Sequence, residues 1–222
     1  MAGRGGLESG GAVAGRFPVG PSALVAVLLF WLTATPAAQQ LSERQLGVHH
    51  VLHWLQFTAG LVIAANWRRR SLRGHPGLAA AAVGAALAYV LVVHLPAPLD
   101  EAAAFPLLHA GVHAGLFVAG AVVGASWRDV TELARVLIVI ATMSAMTILS
   151  LAEISGSFSY SAYPAGQEAP SGVVMLAGMG LFWVALAFAG VPARLSRSPH
   201  PALSIVTAVL LGALIVAAYR AA

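Results

Sequence analysis

Two pairs of histidines dominate the chemistry this chain can offer. His49 and His53, and then His109 and His113, stand four residues apart. On a helix that spacing stacks two imidazoles on one face, about 5–6 Å apart at their β-carbons. Phe57 and Gly60 continue the first stripe, and Phe117 and Gly120 the second. Imidazole ligates copper, zinc, iron and nickel, and it is also the axial ligand of haem iron. Ionisable groups within apolar helices are costly and tend to mark functional sites. His53 and His113 are therefore the leading candidates for metal or haem ligation.

The two stripes belong to a duplication. At an offset of sixty residues, the segment from His49 to Gly60 aligns with that from His109 to Gly120. Identity continues at Val62/Val122, Ala65/Ala125, Trp67/Trp127 and Arg68/Arg128, and Pro36 matches Pro96 upstream. The unit is a two-helix hairpin used twice in parallel orientation, over about 21–68 and 81–128. Gly60-x-x-x-Ala64 and Gly120-x-x-x-Gly124 are small-residue patterns that let helices approach closely. The stripes are expected to face each other across a tight interface.

What positions these helices is a membrane. Of 222 residues, 59% are hydrophobic and only 9% charged, with mean hydropathy +0.84. Soluble domains carry roughly 25% charged residues. The absence of cysteine excludes a disulfide scaffold, thiolate-bound zinc, iron–sulfur clusters and thiol redox chemistry. All twelve basic residues are arginines in short clusters, with no basic domain for nucleic acid. The expectation is an all-α polytopic membrane bundle of about seven spans, since isolated strands leave backbone groups unpaired in lipid. The apolar runs are 21–35, 47–66, 78–95, 106–126, 131–151, 172–190 and 201–219. The first is short enough to read as a cleaved signal sequence; the repeat favours a retained span, because the first copy needs it. Residues 21–222 form one transmembrane domain in this reading, after a Gly-rich, disordered stretch over 1–20.

Arginine placement orients the chain. Arg4, Arg16, Arg68, Arg69, Arg70, Arg73, Arg128, Arg135, Arg194 and Arg197 fall on one side, leaving Arg44 and Arg220 opposite. The positive-inside rule makes that side cytoplasmic, with the amino terminus inside. His49, His50, His53, His94, His109 and His113 then gather near the outer ends of their helices. Met143, Met146, Met175 and Met179 lie in the fifth and sixth runs. Thioether suits Cu(I) and imidazole suits copper, so a His/Met set without thiols favours copper. Met143, Met146 and Glu153 are candidate further ligands; the ordinary reading of the methionines is packing, and Glu153 either closes the site or caps a helix. His50 lies off the stripe and reads as a tolerated interfacial residue. The 153–171 segment, rich in Ser, Gly and Pro with Phe158, Tyr160 and Tyr163, reads as a linker, with a lid as the alternative.

The stretch from His94-Leu95-Pro96 through Asp100, with His109-x-x-x-His113 and Phe117-Val118-Ala119-Gly120, resembles the CtaG-type cytochrome c oxidase assembly factors of the polytopic bacterial sort. The earlier His49-x-x-x-His53 helix matches a further His-x-x-x-His helix of that family. The resemblance covers roughly residues 45–190. It departs where Val112, Leu99 and Val93 replace acidic or aromatic residues common in the family. The resemblance implies a non-enzymatic assembly factor or chaperone in the bacterial plasma membrane. It would pass copper to the copper B centre of a haem–copper oxidase subunit. The implied ligands are His49, His53, His94, His109 and His113. Two alternatives stay open. One is a b-type haem or quinol redox protein using His53 and His113; the other is a metal transporter or the membrane subunit of a copper enzyme.

Overall fold

The computed structural model describes residues 21–65 and 75–188. The expected disordered stretch 1–20, the arginines at 68–73, 194 and 197, and the expected last span 201–219 lie outside them. Among the described residues the chain is all helical, in the order α1 (Pro21–Thr33), α2 (Pro36–Ser42), α3 (Leu46–Ala65), α4 (Pro76–Val92), α5 (Pro96–Ala104), α6 (Pro106–Ser126), α7 (Glu132–Ile154) and α8 (Glu168–Phe188). The two copies of the repeat have the same plan: a long helix, a short one opening on proline, and a His-x-x-x-His helix.

Local chemistry sets the breaks. Pro36, Pro76, Pro96 and Pro106 each open a helix at its first turn, where the missing N–H costs nothing. Thr35 caps α2 by accepting from the Ala38 N–H at 3.3 Å, and Thr131 caps α7 through the Ala134 N–H at 3.3 Å. At the far end of α7, Gly156 takes φ +69°. Its N–H donates to the Glu153 carbonyl at 3.0 Å and the Ser157 N–H to Ala152 at 2.9 Å. These are the two bonds of a Schellman end, and they turn the chain back over the bundle.

The bundle buries a group of polar side chains beside its apolar core and turns large apolar ones outward. Leu24, Val27, Trp31, Leu107, Leu133 and Ile148 are all exposed, Leu107 by 91%. His49, His50, His53, His94, His113, Gln56 and Glu153 are all buried. That inversion suits a lipid surround. Residues 106–129 and 132–154 are each long and apolar enough to cross a bilayer, and α4 with α5, bent by 73°, makes a third such span if taken as one. The described residues thus support two or three spans where seven were expected. Part of the difference is that α1 has only 13 residues, too few for a span, and that the run 201–219 lies outside the described residues.

α3 and α6 cross at their glycines. A β-carbon on Gly60 would strike the Phe117 carbonyl and sit 2.9 Å from Ala121 N; one on Gly120 would strike the Phe57 carbonyl and sit 3.0 Å from Leu61 N. Each contact maps onto the other by the sixty-residue offset, so the copies pack about a local pseudo-twofold axis. The histidine stripes lie about two to three turns from this crossing, at the same end of the bundle.

Candidate metal centre

The crossing brings the two histidine pairs together. The His53 ring lies 4.2 Å from His49 and 5.0 Å from His113 between centroids, and His49 lies 5.8 Å from His113. These three side chains each offer a nitrogen such that all lie within 4.8 Å of one another, and all three are buried. His109 is half-buried at the edge, stacked on His113 at 4.5 Å and 14°, and 5.3 Å from His49. His94, in the turn after α4, lies 5.1 Å from His53. All five histidines expected to ligate therefore gather in one cluster.

His50 is in it as well. The expected interfacial residue is wholly buried, its ring 5.1 Å from His94 and its Nε2 3.8 Å from Glu153 Oε1. It points toward α7 and α8 rather than lipid because Ser171, at the start of α8, takes its Nδ1 at 2.8 Å. The sequence did carry a signal for it: Glu153 is a carboxyl in an otherwise apolar run, and such a group needs a polar partner. Glu153 faces His50 and accepts from the Tyr160 hydroxyl at 2.6 Å, so it belongs to the cluster rather than serving only as a helix end.

Three imidazoles are tied at their backs. His94 Nδ1 lies 2.6 Å from the Val90 carbonyl. A carbonyl only accepts, so His94 carries its proton on Nδ1 and leaves Nε2 with a free lone pair. His49 Nδ1 meets the Tyr163 hydroxyl at 2.8 Å, and His50 Nδ1 meets Ser171 as described. Eight buried ring nitrogens have no hydrogen-bond partner among the described residues: Nε2 of His49, His50, His94 and His109, and both nitrogens of His53 and His113. Each unmet buried polar group costs about 1–3 kcal/mol. Rings fixed by outer hydrogen bonds, with inner nitrogens free, are the arrangement that metal sites use. The residues present fit a transition-metal ion.

The 155–167 segment closes this end of the bundle, where a plain linker was expected. Tyr160 and Tyr163 are buried, packed with Leu46 and Leu99. Asp100 of α5 accepts from the Ser161 N–H and hydroxyl, both at 2.8 Å, and from the Ala162 N–H at 3.0 Å. At the other end Gln167 bridges to the Leu46 N–H at 2.8 Å and the Arg44 carbonyl at 2.9 Å. Burial holds both tyrosine phenols well above their ordinary pKa, with the Glu153 carboxyl adding to this at Tyr160 and the Asp100 carboxylate at Tyr163. Both hydroxyls therefore keep their protons and remain hydrogen-bonding groups.

Beneath the cluster lies a cavity of about 60 Å³, with His53, His94, Phe57, Met146 and Met179 among its walls. Met146 and Met179 are buried there, whereas Met143 is half-buried and lines no part of it. Met175 packs beside Met146, Leu149 and Met179.

Residues 24–191 match the model of a family described as a protein of unknown function, DUF1404. No curated protein and no solved structure matches the chain.

Proposed function

The chain belongs to the DUF1404 family, and from its own geometry we propose that it is a membrane-embedded copper-binding protein that holds Cu(I) as cargo and passes it on. The observation that carries this reading is the buried trio His49, His53 and His113, whose donor nitrogens lie within 4.8 Å of one another. A nitrogen-only set with the Met146 and Met179 thioethers nearby suits Cu(I) better than a hard cation. The close α3–α6 crossing favours an ion over haem b as the occupant. His109, half-buried and stacked on His113, supplies the exit: a fourth imidazole at the rim can take the ion by ligand exchange. No catalytic turnover is part of this role.

The arrangement in the cell is part of the same proposal. Seven spans follow from the apolar runs of the sequence, and an amino terminus in the cytoplasm with the histidine end outside from the arginine distribution. The cargo's destination follows from the resemblance of the 94–120 segment to CtaG-type assembly factors: the copper B centre of a haem–copper oxidase in a bacterial plasma membrane.

Titration of the purified chain with Cu(I) against a competing chelator tests the site. One tightly held Cu(I) per chain is expected, lost in the double variant His53→Ala, His113→Ala; undiminished binding in that variant overturns the reading. Oxidase purified from cells lacking the protein should be deficient in copper B, and a full copper complement there removes the client.

A further inference from the structure

Beside the copper trio, with His94 5.1 Å from His53 and His50 6.5 Å from His49 between ring centroids, stand three donors that the trio does not use. His50 Nε2, His94 Nε2 and Glu153 Oε2 have no hydrogen-bond partner among the described residues, and all three side chains are 0% exposed. They come from three elements: α3, the turn after α4, and the end of α7. His50 Nε2 lies 3.8 Å from Glu153 Oε1, and the His50 and His94 rings are 5.1 Å apart and tilted by 35°. Each donor is held from behind: His94 by the Val90 carbonyl, His50 by Ser171, and Glu153 by the Tyr160 hydroxyl.

We propose that His50, His94 and Glu153 form a second metal position, which takes a divalent transition-metal ion such as Zn(II). The proposal rests on the copper reading only in requiring a cluster that presents neutral imidazoles inward. Two imidazoles and a carboxylate form the donor set of zinc and non-haem iron sites that keep a coordination position open. The carboxylate is the harder ligand, and it separates this set from the nitrogen-only trio. An ion pair between protonated His50 and Glu153 is the competing explanation. At 3.8 Å it is a loose pair, and it leaves His94 Nε2 and Glu153 Oε2 unmet. A divalent ion satisfies all three donors and offsets the cost of a carboxyl in an apolar bundle. Among the described residues only the trio has its donors all within 4.8 Å of one another, so this set is more open and binding must draw its three donors together. His53, with both ring nitrogens unpartnered, lies 5.1 Å from His94 and 5.0 Å from His113 and so touches both positions.

The full chain in detergent, loaded with Zn(II) and Cu(I) under reducing conditions, tests this through metal per chain. One copper and one zinc are expected. Glu153→Gln keeps the shape of the side chain and an acceptor for Tyr160; it should weaken zinc binding about tenfold or more and leave copper unchanged. His50→Ala combined with Glu153→Gln should abolish zinc binding, whereas His49→Ala with His113→Ala should abolish copper binding and keep zinc. Zinc X-ray absorption should then show two imidazoles and an oxygen ligand. Zinc binding indifferent to Glu153→Gln and His50→Ala overturns the second position. So does one-for-one displacement of zinc by copper, and both results leave the trio standing. Binding of neither metal ends both readings.

Discussion

At the crossing, the α3 and α6 copies are interchangeable: Gly60 meets the Phe117 carbonyl as Gly120 meets that of Phe57. Around it they are not. His50 stands where the second copy has Ala110, and His94 stands where the first has Ala34. Asp100, which pins the tyrosine segment, corresponds to Gln40; Gln56, buried beside Thr33, corresponds to Leu116. The outer support differs too: His49 has the Tyr163 hydroxyl behind it, and the equivalent His109 stands half-buried at the rim. What the copies share builds a symmetric scaffold and the two imidazole pairs. What they do not share makes the site one-sided, with a covered interior and one half-buried edge at His109.

The shared part breaks with the largest effect. Gly60→Val and Gly120→Val each drive a side chain into a helix backbone that cannot yield. Each should cost about 3 kcal/mol, the upper end for overpacking, read as thermal unfolding in detergent. The two losses should be equal, and clearly unequal ones would show that the crossing is not symmetric. Gly111, where an added β-carbon meets nothing within 4 Å, is the control: Gly111→Ala should be neutral or stabilise by about 0.5 kcal/mol.

The unshared part should separate equivalent histidines. His49→Ala removes a buried ligand and should lower Cu(I) affinity about 100-fold, whereas His109→Ala should cost about tenfold and chiefly slow transfer to an acceptor chelator. Equal losses at both positions would erase the distinction between interior and rim. Tyr163→Phe leaves every ligand in place and removes only the support behind His49; an affinity loss of about tenfold is expected. Smallest is Asp100→Asn, which weakens the tether on the tyrosine segment by about 1 kcal/mol. Hydrogen exchange over residues 158–166 should quicken, with copper affinity nearly unchanged.

Much of this was legible in the sequence where one helix sufficed. The 106–126 run matches α6 residue for residue, because Pro106 and the polar turn after Ser126 punctuate it. The stripe of His49 and His53 facing that of His109 and His113 follows from helical spacing and small residues alone. His50 did not follow, because a residue off the stripe points either to lipid or to a third helix. Only the packing of α8 with Ser171 decides between them. The tyrosine segment was hidden for a similar reason: Ser, Gly and Pro mark irregular backbone but not where it lies. Its position comes from Asp100, some sixty residues upstream, and from the Gly156 turn. The short helices α2 and α5, of 7 and 9 residues, leave no sequence signal because each is too brief for its periodicity to stand out.

Copper X-ray absorption on the Cu(I)-loaded chain tests most directly whether the two copies share one ion. Three histidine nitrogens are expected around the metal, falling to two in His113→Ala, since His49 and His53 come from the first copy and His113 from the second. A copper environment without imidazole, or one that His113→Ala leaves unchanged, would contradict a centre built across the repeat.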